Sequence, residues 1–328
     1  MLTAVTGADG FIGSHLVESL VTAGHRVRAL ALYTSMGGWG WLDTLPRDVL
    51  DQVEVVAGDV RDAEQMAAFC AGVDTVFHLA ALIAIPYSYA APRSYVETNV
   101  VGTLNVLEGV RRGGVGRMVH TSTSEVYGTA QVVPIDEAHP LAGQSPYSAS
   151  KIGADQMVEA YVRSFDVPAV TLRPFNTYGP RQSARAVIPT VVSQVAAGER
   201  VVRLGALDPT RDFNFVGDTV AAFQALGAAE DKVIGEVFNA GSGREISIGD
   251  LVKTIGTVMG ADLEVVAEPS RLRPSGSEVM RLLADRSKLE AATGWTPATP
   301  LEQGLAITAD WFLRPENLAH YRVGQYTV

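Results

Sequence analysis

Residues 2–22 read "LTAVTGADGFIGSHLVESLVT", a short apolar run, three spaced glycines, then a longer periodic apolar stretch. This order predicts a strand, a tight turn and a helix, and few folds accommodate it so close to the start of a chain. Gly7 permits the turn, Gly10 lets the backbone approach a pyrophosphate, and Gly13 lets the helix pack close to the strand. The helix N-terminus then offers unpaired N–H groups and its positive dipole end to the phosphates. The stretch therefore predicts a dinucleotide site.

The rest of the N-terminal half repeats the alternation. Strands are predicted at 2–6, 26–32, 53–57, 74–79, 117–121 and 169–173, with helices at 11–23, 62–71, 95–112 and 146–165. Short apolar strands alternating with helices predict an α/β fold: a Rossmann doubly wound parallel sheet. Beyond "RPFNTYGPR" the pattern loosens, with helices near 187–197, 248–259 and 301–312, and a smaller C-terminal substrate domain is expected. The dinucleotide-binding domain is assigned to 1–180 with a return segment near 213–242. The substrate domain takes 181–212 and 243–328.

Bulk properties narrow the function. The 328-residue chain is 47% hydrophobic, enough for a large core, and its formal charge of -10 argues against non-specific nucleic-acid binding. A single cysteine, Cys70, rules out an intrachain disulfide and fits a reducing compartment. The first residues run straight into an apolar strand, and no apolar run reaches ~18 residues. The expectation is a soluble cytoplasmic protein without signal peptide or membrane span. The histidines lack metal-ligand spacing, so no metal site is expected, and no G-x-S-x-G elbow supports a hydrolase.

The acid that usually ends the second strand and binds the adenosine ribose is missing. "HRVRALALYTS" has Ala31, Leu32 and Tyr33 there, with no arginine placed for a 2′-phosphate, and NAD is favoured over NADP. Asp59, in "AGDV", has two readings: an adenine contact or an N-cap for the following helix. Trp39, Trp41 and Tyr33 crowd a glycine-rich loop, either packed or acting as a lid. "SPYSASKIGAD" places Tyr147 and Lys151 on one helical face, with Ser145 as cap and Pro146 at the first helical position. An ammonium beside a phenol favours the phenolate, which can take a proton from an alcohol.

With "HLAA" at 78–81, "TNVVGTLNVLE" at 98–108, "STSEVYG" at 122–128, "YSASK" at 147–151, "RPFNTYGPR" at 173–181 and "TRDFNFVGD" at 210–218, nearly the whole chain resembles the extended short-chain dehydrogenase/reductase family, in its nucleotide-sugar epimerase/dehydratase branch. The resemblance implies bound NAD, a nucleoside-diphosphate sugar as substrate, and a homodimer built on helices 95–112 and 146–165. It implies a cofactor site formed by Gly7, Gly10, Phe11, Ile12, Gly13, Asp59, Val60, Leu79, Ala80, Ala81, Asn99, Tyr147 and Lys151. Thr123 and Tyr147 would grip the sugar 4-hydroxyl, and Lys151 would also hold the nicotinamide ribose. Asn176 and Arg211 would meet the diphosphate; Arg273 and Glu278, in "RPSGSEV", the nucleotide side. Arg211 also has a plain reading, a surface arginine paired with Asp212.

The reaction turns on the residues after Thr123. Oxidation at C4 acidifies C5–H. Family dehydratases follow the threonine with an Asp, which protonates the leaving C6 hydroxyl, and a Glu, which takes the C5 proton. Here the pair is Ser124-Glu125, and "TSE" also resembles UDP-glucuronate decarboxylases. "ALALYTSMGGWGWLD", "ALIAIPYSYAAPRSYVETN" and "RPSGSEVMRLLAD" most resemble the UDP-N-acetylglucosamine 4,6-dehydratases of the legionaminic-acid pathway, which also carry Ser before Glu. A nucleotide-sugar 4,6-dehydratase, an NAD-dependent lyase, is therefore preferred over a decarboxylase or a 4-epimerase. A dinucleotide-sensing binding protein is the alternative from another class. It could lose Tyr147 or Lys151 without penalty, and both are present.

Overall fold

The computed structural model describes residues 1–323; the end of the predicted second domain, 324–328, lies outside the described residues. The strands are β1 (Leu2–Thr6), β2 (Arg26–Leu32), β3 (Val53–Gly58), β4 (Thr75–His78), β5 (Arg117–Thr121), β6 (Ala169–Pro174), β7 (Asn176–Tyr178), β8 (Val201–Leu204), β9 (Thr210–Phe215), β10 (Val237–Ala240), β11 (Glu245–Ser247) and β12 (Glu264–Ala267). Seven of them form one sheet in the order β10-β6-β5-β4-β1-β2-β3, and every pairing in it is parallel. This is the doubly wound arrangement expected from the alternation. The strand order reverses between β1 and β4, and ligands of such sheets bind outside the carboxyl ends at that switch point.

Both faces of the sheet are covered, so its central strands β1, β4 and β5 are buried along nearly their whole length. On one face, Leu16 and Leu20 of helix Phe11–Thr22 pack with Val220 and Phe223 of helix Val216–Gly227. On the other, Met66, Val106, Leu107 and Val158 come from helices Ala63–Cys70, Gly102–Gly113 and Pro146–Phe165. Cys70 is buried there, and burial pushes its thiol up to about 12. A separate core gathers Val191, Val202, Leu251, Ile255, Leu305 and Phe312 around β8, β12 and the C-terminal helices.

A three-stranded sheet, β11-β9-β7, connects the two regions. Thus Phe213–Phe215, placed by sequence in the return segment, pair with Asn176–Tyr178 instead of the large sheet, whereas β10 does join it.

The predicted helix over 95–112 is interrupted. Helix Pro92–Tyr95 runs into a π-helical segment, Val96–Val101, before Gly102–Gly113 continues. Such widened turns recur at functional sites. This one carries Asn99, whose side chain accepts from Leu82 N and donates to Leu82 O and Ser150 Oγ.

The loop after β2 is packed. Trp39 lies against the sheet core, and Trp41 meets the rings of Trp311, His320 and Tyr321 at 5.6, 5.1 and 6.1 Å. Its first part, with Tyr33 73% and Met36 89% exposed, stands in solvent.

Candidate active site

The glycine string sits at the switch point as a cradle. Gly7 has φ +66°, and a Cβ there would lie 2.7 Å from Ala80 N. A Cβ on Gly13 would come within 2.1 Å of Gly7 O. Gly10 is the N-cap of helix Phe11–Thr22, which has no side-chain cap and no acid in its first turn. Its first N–H groups, on Phe11 and Ile12 among others, are thus left for an anion. These features fit a dinucleotide pyrophosphate. Thr6 Oγ1 accepts from Leu79 N and Ala80 N, both at 3.1 Å, which holds Leu79–Ala81 against the glycine turn. Gly13→Ala cannot be absorbed by a flexible side chain, because the atom it meets is backbone. Overpacking of this kind costs about 1–3 kcal/mol or more. The variant is expected to unfold at lower temperature and to retain no dinucleotide, checked by a melting curve and by assay of the denatured protein for released cofactor.

Asp59 does not cap the following helix. Its carboxylate takes the Arg61 guanidinium at 2.5 Å, and the cap of the next helix is Asp62, which accepts from Gln65 N. Val60 is buried beside it, with Gly102 held so close that a Cβ would meet Val60 Cγ2 at 2.7 Å.

Tyr147 opens helix Pro146–Phe165 through a capping box: Ser145 and Ser148 satisfy each other's backbone N–H groups behind Pro146. The tyrosine is 7% exposed and lies edge-on to Tyr95 at 6.2 Å. Burial pushes the phenol's pKa up, a hydrogen bond with Thr123 pulls it down, and the Glu125 charge pushes it up again. The lowering by Lys151 expected from sequence is not seen. The ammonium instead donates to Thr121 O at 2.6 Å, and a charge lowers a phenol's pKa only when it stands beside it. Burial also brings Lys151 down to about 8, against the opposing charge of Asp155.

Asp155 was not picked out by sequence, though it lies four residues beyond Lys151 on the same helical face. It accepts from Ser122 Oγ at 2.7 Å and Arg173 Nη2 at 2.9 Å. Burial alone would raise its carboxyl; the bond from His120 and the Arg173 charge outweigh this and hold it low. His120 stacks on His78 at 5.6 Å, both buried. These groups fix the helix against β5 and β6, and with it the Tyr147–Lys151 pair.

β5 ends at Thr121, and a short 3-10 turn, Ser124–Tyr127, follows with Thr123 as its cap, accepting from Glu125 N at 3.2 Å. Thr123 and Glu125 are half-buried and near Tyr147, while Ser124 between them is 3% exposed.

Arg211 is 5% exposed, and its partner is Glu278 at 3.3 Å, not Asp212. Asp212 instead accepts from Ser242, Gly243 and Ala284 N–H groups. Arg273 approaches the same Glu278 oxygen at 3.7 Å. Burial pulls the pKa of the Arg211 guanidinium down, against the charges of Glu125 and Glu278. Arg273 Nη1 and Asn176 Oδ1 are buried without a hydrogen-bond partner among the described residues. Paired cations and an unmatched amide suit phosphate oxygens and a sugar. Among the described residues there is no group of three or more His, Cys, Asp or Glu side chains able to hold a metal ion, and no helix long and apolar enough to cross a membrane.

Comparison with known proteins follows this geometry. A family model described as GDP-mannose 4,6 dehydratase matches residues 4–308. A UDP-glucose 4-epimerase of Mycolicibacterium smegmatis is 34% identical over 95% of this chain and 98% of its own. A dTDP-glucose 4,6-dehydratase of Xanthomonas campestris pv. campestris is 34% identical over 94% of this chain and 92% of its own. A crystal structure of a dTDP-glucose 4,6-dehydratase from Streptomyces venezuelae, with NAD bound, superposes with a TM-score of 0.85 at 31% identity, covering 98% of this chain and 99% of that one. With cradle, Tyr147 and Lys151 in place, and with likeness running over nearly the full length, the chain belongs to the GDP-mannose 4,6-dehydratase family, the nucleotide-sugar dehydratase and epimerase branch of the extended short-chain dehydrogenases/reductases.

Proposed function

We propose that the protein is an NAD-dependent nucleotide-sugar 4,6-dehydratase whose preferred substrate is UDP-N-acetylglucosamine. The observation that carries this is the likeness of residues 29–43, 81–99 and 273–285 to 4,6-dehydratases acting on UDP-N-acetylglucosamine, supported by Thr123 and Glu125 beside Tyr147 and by the pairing of Arg211 and Arg273 with Glu278. The NAD-bound relative supports the cofactor, whose chemistry is to accept hydrogen from the sugar and return it. The chain's residues do the rest. Gly7, Gly10 and Gly13 with the N–H groups of Phe11 and Ile12 seat the pyrophosphate. Thr123 orients the 4-hydroxyl and Tyr147 takes its proton. Lys151 holds the ribose beside it, and Asn99 fixes the wall at Leu82. Arg211 and Asn176 bind the diphosphate, and Arg273 and Glu278 stand on the nucleotide side, with Glu278 paired to both guanidinium groups. Once C4 is a ketone, Glu125 removes the C5 proton and passes it to the departing C6 oxygen.

The serine at 124 favours a second reading, a 4-epimerase, which needs no acid at C6. A homodimer through the 95–112 and 146–165 helices is also proposed, supported by the outward-facing Val96 and Val101, 51% and 40% exposed. Incubation with UDP-N-acetylglucosamine, dTDP-glucose, UDP-glucose and UDP-glucuronate, read by mass spectrometry, tests the function. The proposal expects a product lighter by one water from the first. Unchanged mass for all substrates, or carbon dioxide lost from the glucuronate, would overturn it.

A further inference from the structure

The adenosine end of the cradle poses a problem. In this fold a carboxylate at the end of β2 binds the ribose 2′-hydroxyl and repels a 2′-phosphate. Here that stretch is Ala31, fully buried, then Leu32 and Tyr33. The strand end nonetheless carries a carboxylate, contributed by another segment. Asp9, in the turn between Gly7 and Gly10, reaches across so that its Oδ2 accepts from Leu32 N at 3.1 Å. We propose that Asp9, from the glycine turn itself, is the group that binds the adenosine 2′-hydroxyl and sets the preference for NAD over NADP.

Three further observations support this. The backbone of Asp9 is clamped by the loop after β2. Trp41 N donates to Asp9 O at 3.0 Å, and Gly40, at φ +57°, lies so close that a Cβ would stand 2.6 Å from that oxygen. Trp41 is anchored in turn by Trp311 and His320. A carboxylate held at both its backbone and one oxygen is pre-positioned for a ligand hydroxyl. Only Oδ2 is used by the strand; no other described residue bonds Oδ1. Finally, the cation of the adjoining strand end is already engaged by a carboxylate. β3 lies beside β2, with Leu32 opposite Gly58, and Arg61, just beyond it, is bound by Asp59 through both Nε and Nη2. A 2′-phosphate would face Asp9 with like charge, a juxtaposition that interfaces use to reject a wrong partner.

This rests on the assignment of a dinucleotide to the glycine cradle, and the test separates the two. Purified protein is exchanged against an equimolar excess of NAD and NADP, freed of unbound nucleotide, denatured, and the released dinucleotides are quantified by mass spectrometry. Wild-type protein is expected to hold NAD over NADP by about a hundredfold. Asp9→Asn keeps a carbonyl oxygen for Leu32 N but removes the charge. Its NAD-to-NADP ratio is expected to fall at least about tenfold, the lower worth of a hydrogen bond to a charged group, with an unchanged melting temperature. Should Asp9→Asn melt early, Asp9→Ser carries the same expectation. Wild-type protein holding NAD, with the same ratio in a folded Asp9 variant, overturns the role of Asp9 alone. Wild-type protein holding neither dinucleotide overturns the cradle assignment and the role of Asp9 with it.

Discussion

Tyr147→Phe protein is expected to fold, to bind UDP-sugar, and to turn over at least about a hundredfold more slowly than wild type, the lower contribution of a positioned acid–base group. The fold should survive because the phenol does not hold the helix. The capping box of Ser145 and Ser148, Pro146, and the Asp155 bonds to Ser122 and Arg173 do that. The ring keeps its edge-on packing against Tyr95. What is lost is the oxygen that shares a hydrogen bond with Thr123 and would take the 4-hydroxyl proton. Circular dichroism, sugar binding by calorimetry and steady-state turnover check the three parts. Near-normal turnover in a folded Phe variant would end the assignment of Tyr147 as base.

Glu125→Gln is expected to stop water loss while leaving oxidation at C4 possible, so the absorbance of the reduced dinucleotide should build up on adding substrate. A loss of about a hundredfold or more is expected for the removal of this proton acceptor. Ser124→Ala is the comparison. A serine hydroxyl is far less acidic than a carboxylic acid and cannot replace the missing Asp as proton donor, and this one is buried between two half-buried neighbours. The Ala variant should therefore cost much less. Equal damage from both substitutions would favour a relay through Ser124, and elimination that survives Glu125→Gln would overturn the assignment of Glu125 as the group that takes the C5 proton.

The parts of this account that were legible in sequence are those set by local pattern. Glycine spacing, strand–helix alternation and the Ser-Pro-Tyr helix start are each determined within a few residues, and alternation of short apolar strands with helices points to a parallel sheet. What was not legible depends on residues far apart in the chain. Arg211 has its partner at Glu278, not at its neighbour Asp212 as the plain reading had it, because β9 turns Asp212 toward the 242–243 and 284 backbone. The break in the 95–112 helix has only Gly102, where the α-helix resumes, as a local signal, and a single glycine inside a helical pattern does not announce a π turn. The Asp9–Leu32 bond joins a turn to a strand end whose sequence shows only an absence. The position of the Lys151 ammonium, on Thr121 O and not on the phenol, is set by the way β5 and the helix pack.

The central claim is that Glu125 takes the C5 proton of a 4-ketosugar and that water, not carbon dioxide, leaves. Conversion of UDP-N-acetylglucosamine in D2O, with the product examined by mass spectrometry and proton NMR, tests it most directly. The original C5 proton departs with the C6 oxygen, and C5 must be reprotonated from an exchangeable group. The account predicts a product that has lost one water and carries one solvent deuterium at C5. A product of unchanged composition with C5–H intact and C4 inverted would contradict it.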